Sequence, residues 1–297
     1  MKDALLVALA ASGVFVAGAS LYLVVTFLVA WRHTDPRPLG AALRSFLFEL
    51  LCILVVQPFL PFFFLFGRRM GGARGGVPVV FVHGYFQNRV DFLYLARALG
   101  KAGLGPFYGI NYPFLASVRS NAARLARFCD RVREETGAPE VDLVCHSMGG
   151  LVALEMLKDK VPRVRRCITV ATPHAGVVFP GPIFTAAGRD LRKGSKLLLS
   201  HASAPPAVPV LSIFSSHDNV VHPKLTSALV ARGGVDVEVP HFGHFGILFA
   251  RPVAEKIIAF LREEAPASQA IEVPESLPGS QEGDKDASHL VGAATGR

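Results

Sequence analysis

The sequence predicts an α/β fold: a doubly wound, mostly parallel sheet of about six strands, preceded by an N-terminal transmembrane helix or helices. Six short apolar runs recur from residue 77 onward, and most are separated by stretches with helical periodicity. When crossover helices cover both faces of a parallel sheet, its strands are buried on both sides and are continuous apolar runs of this kind. A third observation, an uncharged apolar stretch near the N-terminus, predicts the membrane segment.

The chain has 297 residues, of which 51% are hydrophobic, and a formal net charge of +8. That apolar content exceeds the content of an ordinary soluble domain. Residues 4–31 carry no charge and are long enough for a tilted helix across a hydrocarbon core of ~30 Å. A cleaved signal peptide is the alternative, although the apolar run continues well past the small residues at 17–19. The basic excess favours anionic lipid headgroups, because no aromatic-basic nucleic-acid motif is present.

Residues 46–66 form a second apolar block, which contains Glu49, Pro58 and Pro61. Because proline kinks a helix, the block is consistent with a broken span, a re-entrant hairpin or an interfacial segment, and the sequence does not separate these. Residues 1–70 are therefore predicted to be a membrane-anchoring region. The Lys and Arg residues around the two blocks leave open the number of spans and the side on which the remaining chain lies.

The glycine-rich segment 71–76 is predicted to be a linker, and residues 77–265 to form the α/β domain. Amphipathic helices are predicted at 90–102, 118–132 and 252–263. The six predicted strands are 77–82, 107–112, 141–145, 166–172, 208–215 and 235–239. The tail 266–297 is rich in Pro, Ser, Gly and acidic residues and is predicted to be disordered.

Residues 141–150, VDLVCHSMGG, combine a short apolar run, a tight turn around Ser147 and the start of a helix-like run. A strand–turn–helix of this kind forces one serine into a strained, exposed position above a sheet, where it serves as a nucleophile. Small residues are needed two positions on either side, and Cys145 and Gly149 meet that need. The alternative is an ordinary strand-to-helix turn rich in small residues.

Residues at two other strand exits complete the constellation. Asp218 follows the fifth predicted strand, and His241 and His244 follow the sixth. In a Ser–His–Asp triad a histidine takes the serine proton and the aspartate orients the imidazole. The oxyanion needs two backbone amides, predicted to be those of Met148, after the serine, and Tyr85, after the first strand. The alternatives are a helix-capping aspartate, polar loop histidines and a plain turn.

Residues 78–263 resemble the bacterial lipase branch of the α/β-hydrolase superfamily. The matching segments are VHGYFQNRVDF, TGAPEVDLVCHSMGG, ITVATPHAG, SSHDNVVHP and GHFGIL. The resemblance implies a small α/β-hydrolase fold with Ser147 as nucleophile, Asp218 as the acid, and the amides of Tyr85 and Met148 as the oxyanion hole.

The same resemblance distinguishes the histidines. The family's catalytic histidine follows a glycine and precedes small and apolar residues, which matches His244 better than His241. His174 lies in a segment similar to the one that opens the family's cap region and is not expected to be catalytic. The chain departs from the family pattern at Cys145, where glycine is usual, and in its N-terminal membrane block, which secreted lipases lack.

Residues 175–209 fit no strand of the sheet and pass from an apolar run to a basic run. This pattern is consistent with a lid that covers the serine. The alternative is a surface insertion that only packs on the domain. We therefore expect a membrane-anchored serine hydrolase that cleaves carboxylic esters, preferably of lipids or acylglycerols, through an acyl-enzyme on Ser147. A thioesterase or acyltransferase would use the same triad. A catalytically silent membrane-bound interaction module is the alternative outside enzymes.

No cofactor, metal ion, nucleic acid or obligate protein partner is expected. The four cysteines lie far apart in apolar or amphipathic runs, which predicts buried free thiols and neither a disulfide framework nor a metal site. Acyl-chain length, headgroup preference and oligomeric state are left open by the sequence.

Overall fold

The structure is a computed structural model that describes residues 2–58, 68–158, 164–177, 185–202 and 205–263. In these residues six strands form one sheet in the order β2–β1–β3–β4–β5–β6, and every neighbouring pair is parallel. The strands are β1 Val79–Val82, β2 Phe107–Gly109, β3 Val141–His146, β4 Val164–Val170, β5 Val210–Phe214 and β6 Val235–Glu238. The predicted fold class is confirmed.

Helices cover both faces of this sheet. The described helices are α1 Lys2–Ala30, α2 Leu39–Val56, α3 Leu93–Lys101, α4 Val118–Thr136, α5 Met148–Lys158, α6 Ala186–Asp190, α7 Lys196–His201 and α8 Arg251–Arg262. Because successive strand side chains point to opposite faces, β1 contributes Val80 and Val82 to the core shared with α4 and α5. Val79 and Phe81 face the second core, which α3 and α8 cover.

The predicted helix that begins at residue 118 is present as α4. Its first turn is capped by Ser117, whose side-chain oxygen accepts the backbone N–H of Ser120. Gly137 ends the helix with φ 70°, a left-handed conformation that glycine adopts without steric cost. α4 therefore begins and ends where its sequence signals lie.

The second strand and the helix before it are shorter than the sequence predicts. β2 ends at Gly109 and not at residue 112, since its pairing with β1 stops at Gly109, opposite Phe81. The helix predicted at 90–102 is a 3₁₀ turn over Arg89–Phe92 followed by α3.

Two N-terminal helices, α1 and α2, are apolar, and Gly13–Ala30 and Leu39–Val56 are long enough to cross a membrane. The second helix begins at residue 39, before the predicted block at 46–66, and includes Arg44. It ends at Val56, two residues before Pro58, whose ring cannot donate a backbone hydrogen bond. The remainder of that block, from residue 59, lies outside the described residues.

α1 and α2 pack against each other, and α2 packs against the segment that follows β6. The inward faces are buried and include polar side chains, namely Thr26 on α1 and Ser45 and Glu49 on α2. The outward face of α2 carries a stripe of apolar residues at four-residue spacing, each more than half exposed: Leu39, Leu43, Leu47, Leu51 and Val55. The pair thus has one face on the α/β domain and one apolar outer face.

The glycine-rich segment predicted as a linker follows the edge of β2. The Met70 N–H donates to the Phe107 carbonyl, the Phe107 N–H to the Gly71 carbonyl, and the Ala73 N–H to the Leu104 carbonyl. The predicted insertion at 175–209 contains α6 and α7, with residues 178–184 and 203–204 outside the described part. The tail predicted to be disordered, 266–297, also lies outside it.

Candidate active site

Ser147 occupies a sharp turn between β3 and α5. Its φ is 52°, a left-handed value that costs a non-glycine residue free energy and is characteristic of residues strained for function. The turn is held because the Ser147 N–H donates to the Val170 carbonyl at 2.9 Å, and the Thr172 hydroxyl donates to the Ser147 carbonyl at 2.9 Å. The surrounding strands therefore fix the serine above the carboxyl ends of the sheet.

Close backbone contacts explain the small residues around the turn. A Cβ on Gly149 would lie 2.3 Å from the Val82 carbonyl oxygen, and a Cβ on Gly84 would lie 2.9 Å from the Ser147 Cβ. The loop after β1 therefore passes directly beside the serine. Cys145, where the family pattern has glycine, is fully buried, and burial followed by its hydrogen bond to Cys167 raises the pKa of its thiol well above the ordinary value. All four cysteines are buried and free, as predicted.

The structure brings Ser147, His244 and Asp218 together in one chain of hydrogen bonds. The Ser147 Oγ lies 2.9 Å from His244 Nε2, and His244 Nδ1 lies 2.8 Å from Asp218 Oδ2. Because the carboxylate accepts from Nδ1, the neutral ring presents an unprotonated Nε2 to the serine. The other oxygen of Asp218 accepts the backbone N–H groups of Val220 and Val221 at 2.8 and 2.7 Å, which fixes the carboxylate.

The other two histidines considered in the sequence lie elsewhere. His241 is exposed and stacks on His217, with ring centroids 4.8 Å apart. His174 is buried and its Nε2 contacts Thr169 Oγ1 at 3.2 Å. Burial lowers the pKa of His174 to about 3, so its ring is neutral at physiological pH.

The surroundings of His244 favour its charged form. Burial lowers the pKa of His244, but the charge of Asp218, its hydrogen bond and the charge of Glu49 together outweigh burial and leave the pKa above the ordinary value of 6.5. His146, next to it, is fully buried, and burial and the charge of His244 hold its pKa well below the ordinary value. His146 Nε2 lies 2.8 Å from the His244 carbonyl oxygen, and its Nδ1 lies 2.7 Å from Gln87 Oε1. A neutral His146 thus supports the backbone of His244.

The two predicted oxyanion donors flank the serine. Met148 is fully buried and begins α5, whose first amides have no acceptor within the helix and carry the positive end of its dipole. Tyr85 follows Gly84 and lines the same cavity as Ser147. Its loop is held by Tyr112, whose ring stacks on His83 at 4.1 Å and whose hydroxyl donates to the His83 carbonyl.

A cavity of ≈ 610 Å³ opens at Ser147 and His244. The α/β domain lines it with Val220, Val221 and Phe245, and the insertion predicted as a lid contributes Val177 and Leu191. Another wall comes from α1, α2 and the residue after α2, through Phe15, Gly18, Ala19, Tyr22, Ile53 and Gln57. The two N-terminal helices are therefore part of the cavity that contains the serine.

Residues 77–184 match the protein family described as alpha/beta hydrolase fold. Together with the parallel six-stranded sheet and the serine at its strand-to-helix turn, this match settles the fold. The chain has the α/β-hydrolase fold. The resemblance predicted from the sequence motifs is confirmed at this level.

Solved structures similar to this chain include a Bacillus licheniformis lipase in its mature form. That lipase is 16% identical, with a TM-score of 0.53, and the match covers 64% of this chain and 94% of the lipase. Its propeptide form is 18% identical, with a TM-score of 0.54, and the match covers 67% of this chain and 54% of the propeptide form. At these identities the likeness concerns the fold.

Among curated proteins the chain is similar to the dihydrolipoyllysine-residue acetyltransferase component of the acetoin cleaving system of Cupriavidus necator. The two are 35% identical over 104 residues, which is 33% of this chain and 26% of that protein. This chain thus matches about a quarter of the length of that relative.

Several residues that hold the site were not identified from the sequence. Glu49 on α2 accepts the N–H groups of Phe245 and Gly246 at 2.7 and 2.6 Å. Asn219 accepts the His244 N–H at 2.8 Å, and Gln87 accepts the Gly84 N–H at 2.8 Å. A charged residue within an apolar helix was the one signal that pointed to Glu49. Within the described part of the chain, no group of three or more His, Cys, Asp or Glu side chains is placed to hold a metal ion.

Proposed function

We propose that the protein is a membrane-anchored serine hydrolase that cleaves carboxylic esters, with lipid or acylglycerol esters as substrates, through an acyl-enzyme on Ser147. The observation that carries the proposal is the Ser147 Oγ, which is hydrogen-bonded to His244 and opens into the cavity of ≈ 610 Å³. This size lies within the usual range for sites that enclose a small organic ligand, about 300–1,000 Å³.

The geometry supports a two-step acyl transfer. As Ser147 Oγ attacks the ester carbonyl carbon, His244 Nε2 takes the serine proton, and the amides of Tyr85 and Met148 bind the developing oxyanion. The ester C–O bond then breaks, and His244 gives the proton to the leaving alcohol. Water, deprotonated by the same histidine, releases the acid and restores the serine. Asp218 keeps the imidazole oriented and stabilises its charged form in both steps.

The walls of the cavity favour an acyl chain as the bound group. Phe15, Ile53, Leu191 and Phe245 present aliphatic and aromatic surface to the space beside the serine. Burying each methylene of a chain against such surface contributes about 0.8 kcal/mol. Because α1 and α2 also carry an apolar outer face, the same two helices would anchor the protein in a membrane and bring the cavity to its lipids.

Labelling of membranes that contain the full-length protein with a fluorophosphonate tests the nucleophile. We expect wild type to react, and Ser147→Ala and His244→Ala to lose labelling, while the matched control His241→Ala reacts like wild type. Absence of labelling in folded wild type would contradict the proposal and favour a catalytically silent, membrane-bound interaction module. Labelling that depends on His241 and not on His244 would contradict the assignment of the base.

The acceptor of the acyl group is tested by product analysis. The fold and triad serve thioesterases and acyltransferases equally well, so the acyl-enzyme can pass its acyl group to water or to another nucleophile. With a fluorogenic long-chain ester as substrate, hydrolysis releases free acid at a rate that added alcohol or thiol acceptors leave unchanged. Accumulation of a new ester or thioester at the expense of free acid would instead identify a transferase.

A further inference from the structure

The segment that carries His244 is bound to a helix from the opposite end of the chain. Glu49 lies in the middle of α2 and is buried, with 1% of its surface exposed. Its Oε1 accepts the Phe245 N–H at 2.7 Å and its Oε2 accepts the Gly246 N–H at 2.6 Å. Both carboxylate oxygens thus hold the two residues directly after the histidine.

The shape of this segment matches the carboxylate closely. A Cβ on Gly243 would lie 2.5 Å from Glu49 Oε2, and a Cβ on Gly246 would lie 2.6 Å from the same oxygen. The two glycines on either side of His244 therefore allow the Glu49 side chain to approach. Larger residues at these positions would exclude it.

The first helix contributes to the same arrangement. Thr26 on α1 accepts a hydrogen bond from Asn219 Nδ2 at 2.9 Å, and the oxygen of the Asn219 amide accepts the His244 N–H at 2.8 Å. The backbone N–H groups of three consecutive residues, 244 to 246, are thus held by side chains that belong to, or are bonded to, the N-terminal helices.

We propose that Glu49 is a positioning residue for His244, and that the N-terminal helices are therefore required for the chemical step as well as for anchoring. The proposal rests on the proposed function, since it concerns the base of the same triad. A carboxylate that binds two adjacent amides fixes their peptide planes, and so fixes the distance between His244 Nε2 and Ser147 Oγ. Displacing α2 removes both hydrogen bonds at once and frees the imidazole from the serine. Misplacement of a catalytic group by about 1 Å can cost roughly 100-fold in rate.

Glu49→Gln in the full-length, membrane-inserted protein is the test. Glutamine has the same size, but one oxygen becomes an NH₂ group that faces a backbone N–H and cannot accept from it. We expect kcat/KM for a soluble ester, and the rate of fluorophosphonate labelling, to fall about 100-fold through kcat with KM little changed. The charges of Asp218 and Glu49 both raise the pKa of His244, and the neighbouring His146 is neutral. Because Glu49→Gln removes one of these charges, the acidic limb of the pH–rate profile should move to lower pH.

Two further variants separate position from stability. Ser45→Ala alters the same buried face of α2 one turn earlier without touching the histidine segment, and should retain wild-type kcat and labelling. Glu49→Asp keeps the charge but shortens the side chain by one methylene, so its rate should fall while its acidic limb stays in place. It also provides a measurement if Glu49→Gln does not fold.

The outcomes distinguish this inference from the function on which it rests. Wild type that is never labelled overturns the proposed function. If wild type is labelled, and the folded Glu49→Gln protein has the same kcat/KM and the same pH–rate profile as wild type, only the role of Glu49 is overturned. Equal loss of activity in Ser45→Ala and Glu49→Gln would also overturn it, because general loosening of α2 would then explain both.

A second inference rests on a different and independent cavity. This cavity of ≈ 300 Å³ is lined by Ile110, Asn111 and Phe128 and by the side chains of five arginines, namely Arg68, Arg89, Arg124, Arg127 and Arg131. The arginines converge from three separate segments: the chain before β1, the 3₁₀ turn after it and the face of α4. In the described part of the chain no acidic residue lines this cavity.

The charge in the cavity is only partly balanced. Burial, followed by the charge of Arg68, lowers the pKa of Arg89, so the two guanidinium groups repel each other. Glu135, the nearest paired acid, lies 3.8 Å from Arg68 and is also bound by Arg69 at 2.7 Å. The side-chain NH₂ group of Asn111 is buried at the cavity and has no hydrogen-bond partner in the described structure. Several cations and an amide donor thus point to an acceptor with negative charge.

We infer that this cavity binds a phosphate group. Guanidinium groups donate paired N–H bonds that match phosphate oxygens, and the Asn111 amide adds a neutral donor. The group can belong to a lipid headgroup, since Arg68 follows the apolar block predicted at 46–66, or to free phosphate. Both sources share the chemistry that the cavity recognises.

Binding of inorganic phosphate and of vesicles tests this site in the full-length protein. Arg127→Gln removes one lining charge, and Arg97→Gln on the exposed side of α3 removes one charge elsewhere as the matched control. We expect Arg127→Gln to weaken the binding about 10-fold, the discrimination a single bidentate contact commonly gives, and Arg97→Gln to have little effect. If the protein prefers phosphatidylglycerol vesicles to phosphatidylcholine vesicles and does not bind inorganic phosphate, the ligand is the lipid headgroup. If it binds inorganic phosphate alone, the ligand is the free anion. Equal loss in both variants, or no binding of either probe, overturns the site.

Discussion

Asp218 Oδ2 and His244 Nδ1 lie 2.8 Å apart, and this contact sets the charge state of the imidazole that faces Ser147. The interaction raises the pKa of His244 above 6.5 in spite of burial, with Glu49 adding to the effect and neutral His146 packed alongside. A general base must be unprotonated, so activity should appear only as the pH rises through this raised value. The acidic limb of kcat/KM should therefore lie above pH 6.5.

Removing the charge of the acid should move that limb. In Asp218→Asn the imidazole loses its largest stabilising charge and its tautomer is no longer fixed, so the limb shifts to lower pH while the maximal rate falls by about 10⁴-fold. Hydrolysis of a soluble ester across the pH range measures both quantities. An unshifted limb in Asp218→Asn would show that another group controls the titration.

The strain at Ser147 predicts that two inactivating substitutions differ in their effect on stability. Both Ser147→Gly and Ser147→Ala remove the nucleophile, but only glycine adopts φ 52° without steric cost. We expect Ser147→Gly to be more stable than Ser147→Ala by about 1 kcal/mol. Thermal unfolding in the same detergent compares the two proteins directly. Equal stability would mean that the turn is not strained by its side chain.

The wall contributed by α1 should control which chains fit. Ala19 lines the cavity, whereas Leu21 on the same helix is 65% exposed and does not line it. Ala19→Trp fills part of the space, so kcat/KM for a long-chain para-nitrophenyl ester should fall about 10-fold or more relative to a short-chain ester. Leu21→Trp, the matched control, should leave the ratio unchanged. A constant ratio in Ala19→Trp would place the acyl chain elsewhere.

Asp91 predicts a pH-dependent stability that is unrelated to catalysis. It is fully buried in the 3₁₀ turn before α3, and burial, partly opposed by the backbone of Asn88, raises its pKa to about 8. The pKa of this carboxyl group is thus about 4 in the unfolded chain and about 8 in the folded protein. Between these two pH values the group is ionised in the unfolded chain and neutral in the native protein. The free energy of unfolding therefore falls as the pH rises. Asp91→Asn should therefore gain stability over wild type as the pH rises, by about 5 kcal/mol at pH 8.

Chemical denaturation at several pH values measures this difference. Asp130→Asn, on the accessible side of α4, removes a carboxylate that is half exposed and serves as the matched control. Its effect on the free energy of unfolding should vary little with pH. A pH-independent effect of Asp91→Asn would mean that the carboxyl group is ionised in the folded protein.

The sequence predicted the sheet and the serine because both depend on local signals. Apolar runs of strand length give the six strands, and Ser147 with its small neighbours lies in one short strand–turn–helix pattern that is read directly from the chain. Asp218 and His244 were identified because strand exits of a parallel sheet meet at one edge, so their order along the chain carried spatial information. The choice between His241 and His244 came from the resemblance, since both follow the same strand.

The residues that sequence reasoning missed act through distant contacts. Nothing near Glu49 in the chain indicates that its partners are the amides of Phe245 and Gly246, because such bonds arise only when α2 packs on the domain. The same holds for Asn219, whose amide joins Thr26 to His244. The start of α2 was placed too late because Arg44 interrupts the apolar run, although a charge on an exposed helix face does not break a helix.

The contact between Glu49 and Gly246 spans 197 residues and has a consequence for synthesis. α2 leaves the ribosome well before the histidine segment. Contacts so far apart form late in folding, because the loop between them must first be closed. A chain interrupted between Ser147 and the histidine segment therefore carries Glu49 and Ser147 without His244. We expect the nascent protein to be inert toward esters until the histidine segment has been synthesised.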